Sequence, residues 1–262
     1  MSGSGARWAR RTALFLGFGF LYGPIVVLAV LSFNASKLVS VWGGFSTKWY
    51  AALLSNDAML RAAKTSLAAA ALSASIATFL GLLAAIALAR FGRFRSRTLF
   101  FGALHAPLVL PEVVLGLALL SCFVALDLDR GFVTLVVAHA TFTMCFATVA
   151  LLAALKDCDP ALEEAAMDLG ATPFGAFALV ALPAIAPALA SAFLMAFTLS
   201  LDDLVIASFT TGPGATTLPM RIYSQVRLGV TPEVNAISTL LLAFVAVVLF
   251  LSTLLTRRAK AS

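Results

Sequence analysis

The sequence predicts an all-α membrane protein of about six transmembrane helices, and three observations carry that prediction. First, the 262-residue chain is 61% hydrophobic and only 11% charged, with a mean hydropathy of +1.02. A soluble domain carries about 25% charged residues. Second, apolar runs long enough to cross a bilayer, about 20 residues, recur at 12–33, 64–89, 98–125, 131–155, 184–210 and 234–256. Third, the basic residues cluster beside these runs. Arg7, Arg10 and Arg11 precede the first run; Arg90, Arg93, Arg95 and Arg97 fill the link between the second and third; Arg257, Arg258 and Lys260 follow the sixth. The net charge of +6 therefore reads as topology and not as a nucleic-acid surface. Both termini and these clusters are expected on the cytoplasmic side.

Each element has a local reason. The first run is not followed by an A-x-A cleavage signature and is expected to be a retained span. The stretch "FSTKWYAALLSND" reads as a short helix lying on the membrane, with Ser46 as its N-cap. Trp42, Trp49 and Tyr50 suit an aromatic belt at the outer interface. Pro107 and Pro111 in the third run, and Pro187 in the fifth, predict kinks. Scattered charges, Lys37, Lys48, Arg130, Arg221 and Arg227, fall on the opposite loops. In the last outer loop Gly212, Pro213 and Gly214 form a turn, Pro219 opens a short helix, and Thr231 with Pro232 caps the sixth span. Cys122, Cys145 and Cys158 have no zinc-site spacing and read as packing residues or free thiols.

The loop 156–183, "KDCDPALEEAAMDLGATPFGAFALVALP", departs from the charge pattern. Asp157, Asp159, Glu163, Glu164 and Asp168 face a lone Lys156. Asp159 and Pro160 start a helix, Gly170 ends it in a left-handed conformation, and Thr172 with Pro173 starts a second. Leu162, Ala165 and Leu169 lie on one side of the first helix, with acids on the other. A lipid-facing interfacial helix would carry Lys and Arg; an acidic one better suits a basic protein partner.

That loop resembles the EAA motif of ABC-importer permeases, E-A-A-x3-G-x9-I-x-L-P. Here it runs Glu164-Ala165-Ala166, three residues, Gly170, nine residues, Val180 in place of Ile, and Leu182-Pro183. The strings "FTLSLDDLVIASF", "GPGATTLPM", "VRLGVTPEVNAISTLLL", "APLVLPEVVLGLALL" and "VWGGFSTKWY" look like the polyamine branch of these permeases, more its putrescine than its spermidine members. The resemblance implies the type I ABC importer permease fold in a bacterial inner membrane. It implies coupling through Glu163, Glu164, Ala165, Ala166, Asp168, Gly170 and Pro183 to a dimer of cytoplasmic ATP-binding subunits. It also implies a second permease, expected to be a different chain, and a periplasmic polyamine-binding protein docking near residues 210–233. ATP would be used by the partner, with no cofactor on this chain.

The chain carries no P-loop, H-E-x-x-H or G-x-S-x-G signature, so no catalytic or metal-binding set is expected. His105 and His139 stand alone in apolar runs and read as hydrogen-bonded interior residues. The informative charges are the acids within the runs: Glu112, Asp202 and Asp203. A carboxylate at a helix centre costs about 2.5–3.5 kcal/mol on insertion scales, and such groups usually face an aqueous path or a partner. Treated as one helix, the fifth run places Asp202 roughly 28 Å along it. Ser191, Met195, Thr198, Asp202 and Phe209 then share a face, which suits the path of a cation with an aliphatic body. Asp203 is turned about 100° away, toward a capping or interface role. The predicted path is Asp202, Asp203, Glu112, Thr198, Met195 and Phe209. An importer for another small cation, an ion-coupled secondary transporter using Asp202, and a membrane-embedded enzyme are the competing readings. The absence of a visible internal repeat and of catalytic motifs weighs against the last two.

Overall fold

The computed structural model describes residues 3–38, 41–92 and 94–259. Arg93 and Lys260 of the basic clusters, and the side chains of Arg257 and Arg258, lie outside what is described. The helices, in order, are α1 (Gly3–Leu31), α2 (Lys48–Leu54), α3 (Asp57–Arg90), α4 (Arg97–Val109), α5 (Glu112–Ala125), α6 (Phe132–Asp157) and α7 (Pro160–Asp168). Then follow α8 (Pro173–Ala176), a π-helical turn (Phe177–Ala181), α9 (Leu182–Ala184), α10 (Ala186–Asp202), α11 (Val205–Thr210), α12 (Leu218–Leu228) and α13 (Pro232–Ala259). Among the described residues, four helices are long and apolar enough to cross a membrane alone, and six spans result if each of two bent helix pairs counts as one. The all-α membrane class expected from the sequence is what is observed.

Two runs read as single helices are broken. The run 98–125 splits into α4 and α5, which meet at 118°. The residue before a proline is driven out of the helical region, and Leu110, before Pro111, has ψ 138°. Glu112 therefore opens α5 and does not sit inside a continuous helix. The run 184–210 ends its helix at Asp202 and restarts at Val205. A further bend of 68° separates Pro173–Ala184 from α10. Pro183 has no N–H for the carbonyl of Leu179, and the chain widens into a π turn just ahead of it.

Two compact units are distinguished: residues 1–60 with 222–244, and residues 61–221 with 245–262. In the first, Asn34 organises the loop after α1. Its Nδ2 donates to the carbonyl of Val41 at 2.8 Å, and its Oδ1 accepts from the amides of Ser36 (3.0 Å) and Gly43 (2.8 Å). Trp49 Nε1 donates to the Asn34 carbonyl, and the Tyr50 hydroxyl bonds Ser32 Oγ. Of the expected aromatic belt, only Trp42 is exposed; Trp49 and Tyr50 are half-buried and bonded inward. The N-cap of α2 is Thr47, and Ser46 Oγ accepts instead from the Lys48 amide.

The second unit holds the core. α6 is its most buried long helix, packed by α3, α4, α5, α10 and α11. α3 packs through alanines, with Ala70, Ala74, Ala77 and Ala85 fully buried. Small residues let helices approach closely where lipid removes the hydrophobic drive between them. α3 comes close to α6 at Gly81, where an added Cβ would meet Ala147 Cβ at 3.0 Å and the Thr148 amide at 3.1 Å. Gly81→Val is expected to destabilise the protein by about 1–3 kcal/mol through overpacking. Thermal unfolding in detergent reads this as a lowered Tm; an unchanged Tm would contradict the packing described.

Candidate translocation path and coupling helix

α10 presents two faces. Ala192, Ala196 and Ser200 are buried against the core, while Ser191, Met195, Thr198 and Asp202 are half-buried or exposed. The hydroxyls of Ser191 and Thr198 bond the backbone one turn back, at Pro187 (2.9 Å) and Leu194 (2.7 Å), so polar atoms line this face without breaking the helix. The stripe stops at Asp202. Phe209 lies on α11 and does not continue it; its ring packs on α5, where a Cβ at Gly116 would come within 2.7 Å of Phe209 Cδ2.

The adjacent carboxylates stand on either side of the helix break and have opposite environments. Asp203 is buried, and its two oxygens accept from the amides of Ile206 (3.2 Å) and Ala207 (2.7 Å), capping α11. A carboxylate at a helix N-terminus is favoured by the exposed N–H groups and the dipole. His139 of α6 adds a second hold: its Nε2 lies 3.1 Å from Asp203 Oδ2, off the line of a hydrogen bond, and both side chains are almost fully buried. His139 Nδ1 is 2.7 Å from Ser200 Oγ, which is 2.9 Å from Ser73 Oγ on α3. One buried chain of polar groups thus ties α3, α6, α10 and α11 together.

Asp202 has none of this. It is the last residue of α10, where the helix dipole disfavours a negative charge. Among the described residues it has no ion-pair partner and is exposed. The other charges near enough to act on it are the carboxylates of Asp203 and Glu112. Glu112, also exposed, lies in the first turn of α5, where the dipole favours it. Asp202 therefore lies within electrostatic reach of both Asp203 and Glu112, and of the three only Asp203 is buried and hydrogen-bonded. His139, read from the sequence as a hydrogen-bonded interior residue, is also the group that stands against Asp203. The signal was the lone histidine in a neighbouring apolar run. His105 is bonded to the Phe101 carbonyl (2.8 Å) and stacked on its ring, on an exposed face.

In the acidic loop, Asp159 accepts from the Ala161 amide at 3.0 Å and Pro160 is the first residue of α7. Gly170 has φ +94°, and Thr172 Oγ1 accepts from the Gly175 amide at 3.1 Å. α7 buries no residue. Glu164, Ala165 and Asp168 are exposed, Glu163 and Ala166 are half-buried, and Leu169 and Phe174 are 90% and 81% exposed. Pro183 sits in α9, between the π turn and the bend. The residues expected to couple thus lie on α7 and at the bend that follows it, apart from the acids Asp202 on α10 and Glu112 on α5.

Bent apolar helices, a partly polar face carrying uncompensated acids, and a bare helix on a hydrophilic loop define a membrane permease subunit built to work with partners. Comparison with known proteins agrees. Residues 77–261 match the family described as the inner membrane component of binding-protein-dependent transport systems. The chain is 52% identical over 257 residues to the putrescine transport system permease protein PotI of Escherichia coli strain K12, covering 96% of this chain and 92% of that one. It is 43% identical over 240 residues to the spermidine/putrescine transport system permease protein PotC of the same strain, covering 92% and 90%. A crystal structure of a bacterial ABC transporter involved in alginate import superimposes with a TM-score of 0.71 at 17% identity, covering 98% of this chain and 95% of that one. The chain belongs to the family of inner membrane components of binding-protein-dependent transport systems. It is a multi-pass inner-membrane permease subunit and not an enzyme.

Asp203→Ala is expected to cost about 2–4 kcal/mol, because two buried amides lose their acceptor and a buried imidazole loses the carboxylate it faces. Asp202→Asn is expected to leave stability within about 0.5 kcal/mol, as for an exposed position. Melting of both variants in detergent checks this; equal losses would contradict the division.

Proposed function

We propose that this chain is the permease subunit of an ATP-driven importer for putrescine or a related polyamine, supplying half of the translocation path. The observation that carries the cargo's charge is Asp202: an exposed carboxylate beside Glu112, with no cation among the described residues to neutralise it. Putrescine is a diammonium with a four-carbon body. Two spaced carboxylates replace part of its hydration, and Met195 and Thr198 offer the mixed surface its methylenes and ammonium groups need. The names of the two Escherichia coli relatives support the same cargo. The alginate transporter shares the fold and moves an acidic polysaccharide, so the fold does not set the cargo's sign; the path residues do.

Orientation follows the basic clusters, with both termini and α7 on the cytoplasmic side. There α7 docks on a dimer of ATP-binding subunits that use the ATP. The exposed Leu169 just after it and Phe174 of α8 supply an apolar contact, and Glu164 of α7 a charge for a basic groove. The segment from Thr211 to Thr231 lies on the opposite side, where a periplasmic binding protein delivers the cargo. A second, different permease completes the path. One solved neighbour is an alginate transporter in complex with a periplasmic protein, matched at a TM-score of 0.66, which supports that division of labour.

Uptake of labelled putrescine by the reconstituted complex tests the path. Asp202→Asn and Glu112→Gln should each lower uptake efficiency about five- to tenfold, the equivalent of about 1–1.4 kcal/mol, at unchanged membrane level. Wild-type kinetics in both would overturn the cation path. Docking is tested separately by Leu169→Asp, a substitution at a 90% exposed position. The ATP-binding subunit should be lost on purification in mild detergent; its full retention would overturn the role of α7.

A further inference from the structure

A docking helix that buries none of its own residues needs some other hold on the membrane domain. Besides its packing on α8 and the π turn, it has an ion pair to α3. Arg90 Nη2 lies 2.5 Å from Glu163 Oε1, and the two side chains are 22% and 16% exposed. Among the described hydrogen bonds and ion pairs it is the one that joins α7 to α3. Arg90 is the last residue of α3 and Glu163 lies in the first turn of α7, so each charge sits at the helix end whose dipole favours it. Arg97 fixes the end of α3 in turn: one guanidinium nitrogen donates to the Leu88 carbonyl at 2.8 Å and the other to the carbonyl of Gly92. Along the same α3, Gly81 abuts α6 and Ser73 reaches Ser200 and, through it, His139 and Asp203.

We propose that Arg90 is a positioning residue for transport. It holds α7 on the end of α3, and α3 carries displacement of α7 to the joint of α10 and α11 beside Asp202. Glu163, although part of the acidic motif, is committed within the chain, and the exposed Glu164 is the acid left for the ATP-binding subunit. This assignment rests on the docking role of α7 proposed above.

The test uses the complete complex of both permeases, ATP-binding subunits and binding protein in proteoliposomes, and reads putrescine uptake per ATP hydrolysed. Arg90→Glu should lower that ratio about tenfold, a coupling of the size that neighbouring paired groups show. The ATP-binding subunit should still co-purify. The swapped pair Arg90→Glu with Glu163→Arg should restore the ratio to within about twofold, and Arg90→Lys should retain part of it. A tie that merely stabilises would lower the yield of complex and leave the ratio unchanged. Where the reversed charge prevents assembly, Arg90→Gln makes the same comparison. An unchanged ratio in an assembled Arg90 variant, or a swapped pair that assembles without recovery, overturns the proposal. Failure of the underlying docking role shows differently: Leu169→Asp then leaves the ATP-binding subunit attached, whatever the Arg90 variants do.

Discussion

Where α10 ends and α11 begins, the chain inside an apolar environment must satisfy amides that no longer have helical partners. The Asp203 carboxylate accepts from two of them and faces the His139 imidazole, which leans on Ser200 and, through it, on Ser73. Four helices meet in that chain of contacts. A buried carboxylate is costly on its own, and here every neighbour is arranged to offset the cost. The break is therefore a fixed feature of the core, and the position of α11, of Phe209 on Gly116, and of the acid just before the break all depend on it.

That acid, Asp202, is exposed by the same construction. The helix ends beneath it, its dipole disfavours the charge, and no cation in the described chain compensates it. Glu112 reaches the same neighbourhood from the opposite helix polarity, at the start of α5 after the Pro111 break. Two interrupted helices thus place two acids together, much as transporters elsewhere use discontinuous helices to build sites from helix ends. The exposed α7 and its Arg90 tie supply the other half of a permease's task, which is to be moved.

Local features were legible in the sequence because their causes are local. The apolar runs, the cap at Asp159, the left-handed Gly170 and the Thr172 start all follow from a few neighbouring residues. The breaks were only half legible. Pro111 marks where the third run departs from a helix, but a 118° turn is set by what α4 and α5 pack against. No proline or glycine marks the break in the fifth run at Asp203; its carboxylate caps the restart at Ile206 and Ala207, and the burial that holds it there comes from His139, 64 positions earlier in the numbering. For the same reason a stripe extended to Phe209 runs about two helical turns past the end of α10. The tie between Arg90 and Glu163, 73 residues apart, was hidden because each residue had a sufficient explanation of its own, topology for one and partner docking for the other.

The most direct measurement is a structure of the assembled importer trapped with putrescine in the membrane domain. The account predicts an ammonium group within hydrogen-bonding distance of Asp202, with Glu112 on the same side of the cargo and Asp203 still capping α11 against His139. Putrescine bound away from Asp202, or Asp203 released from its cap and contacting the cargo in its place, would contradict it.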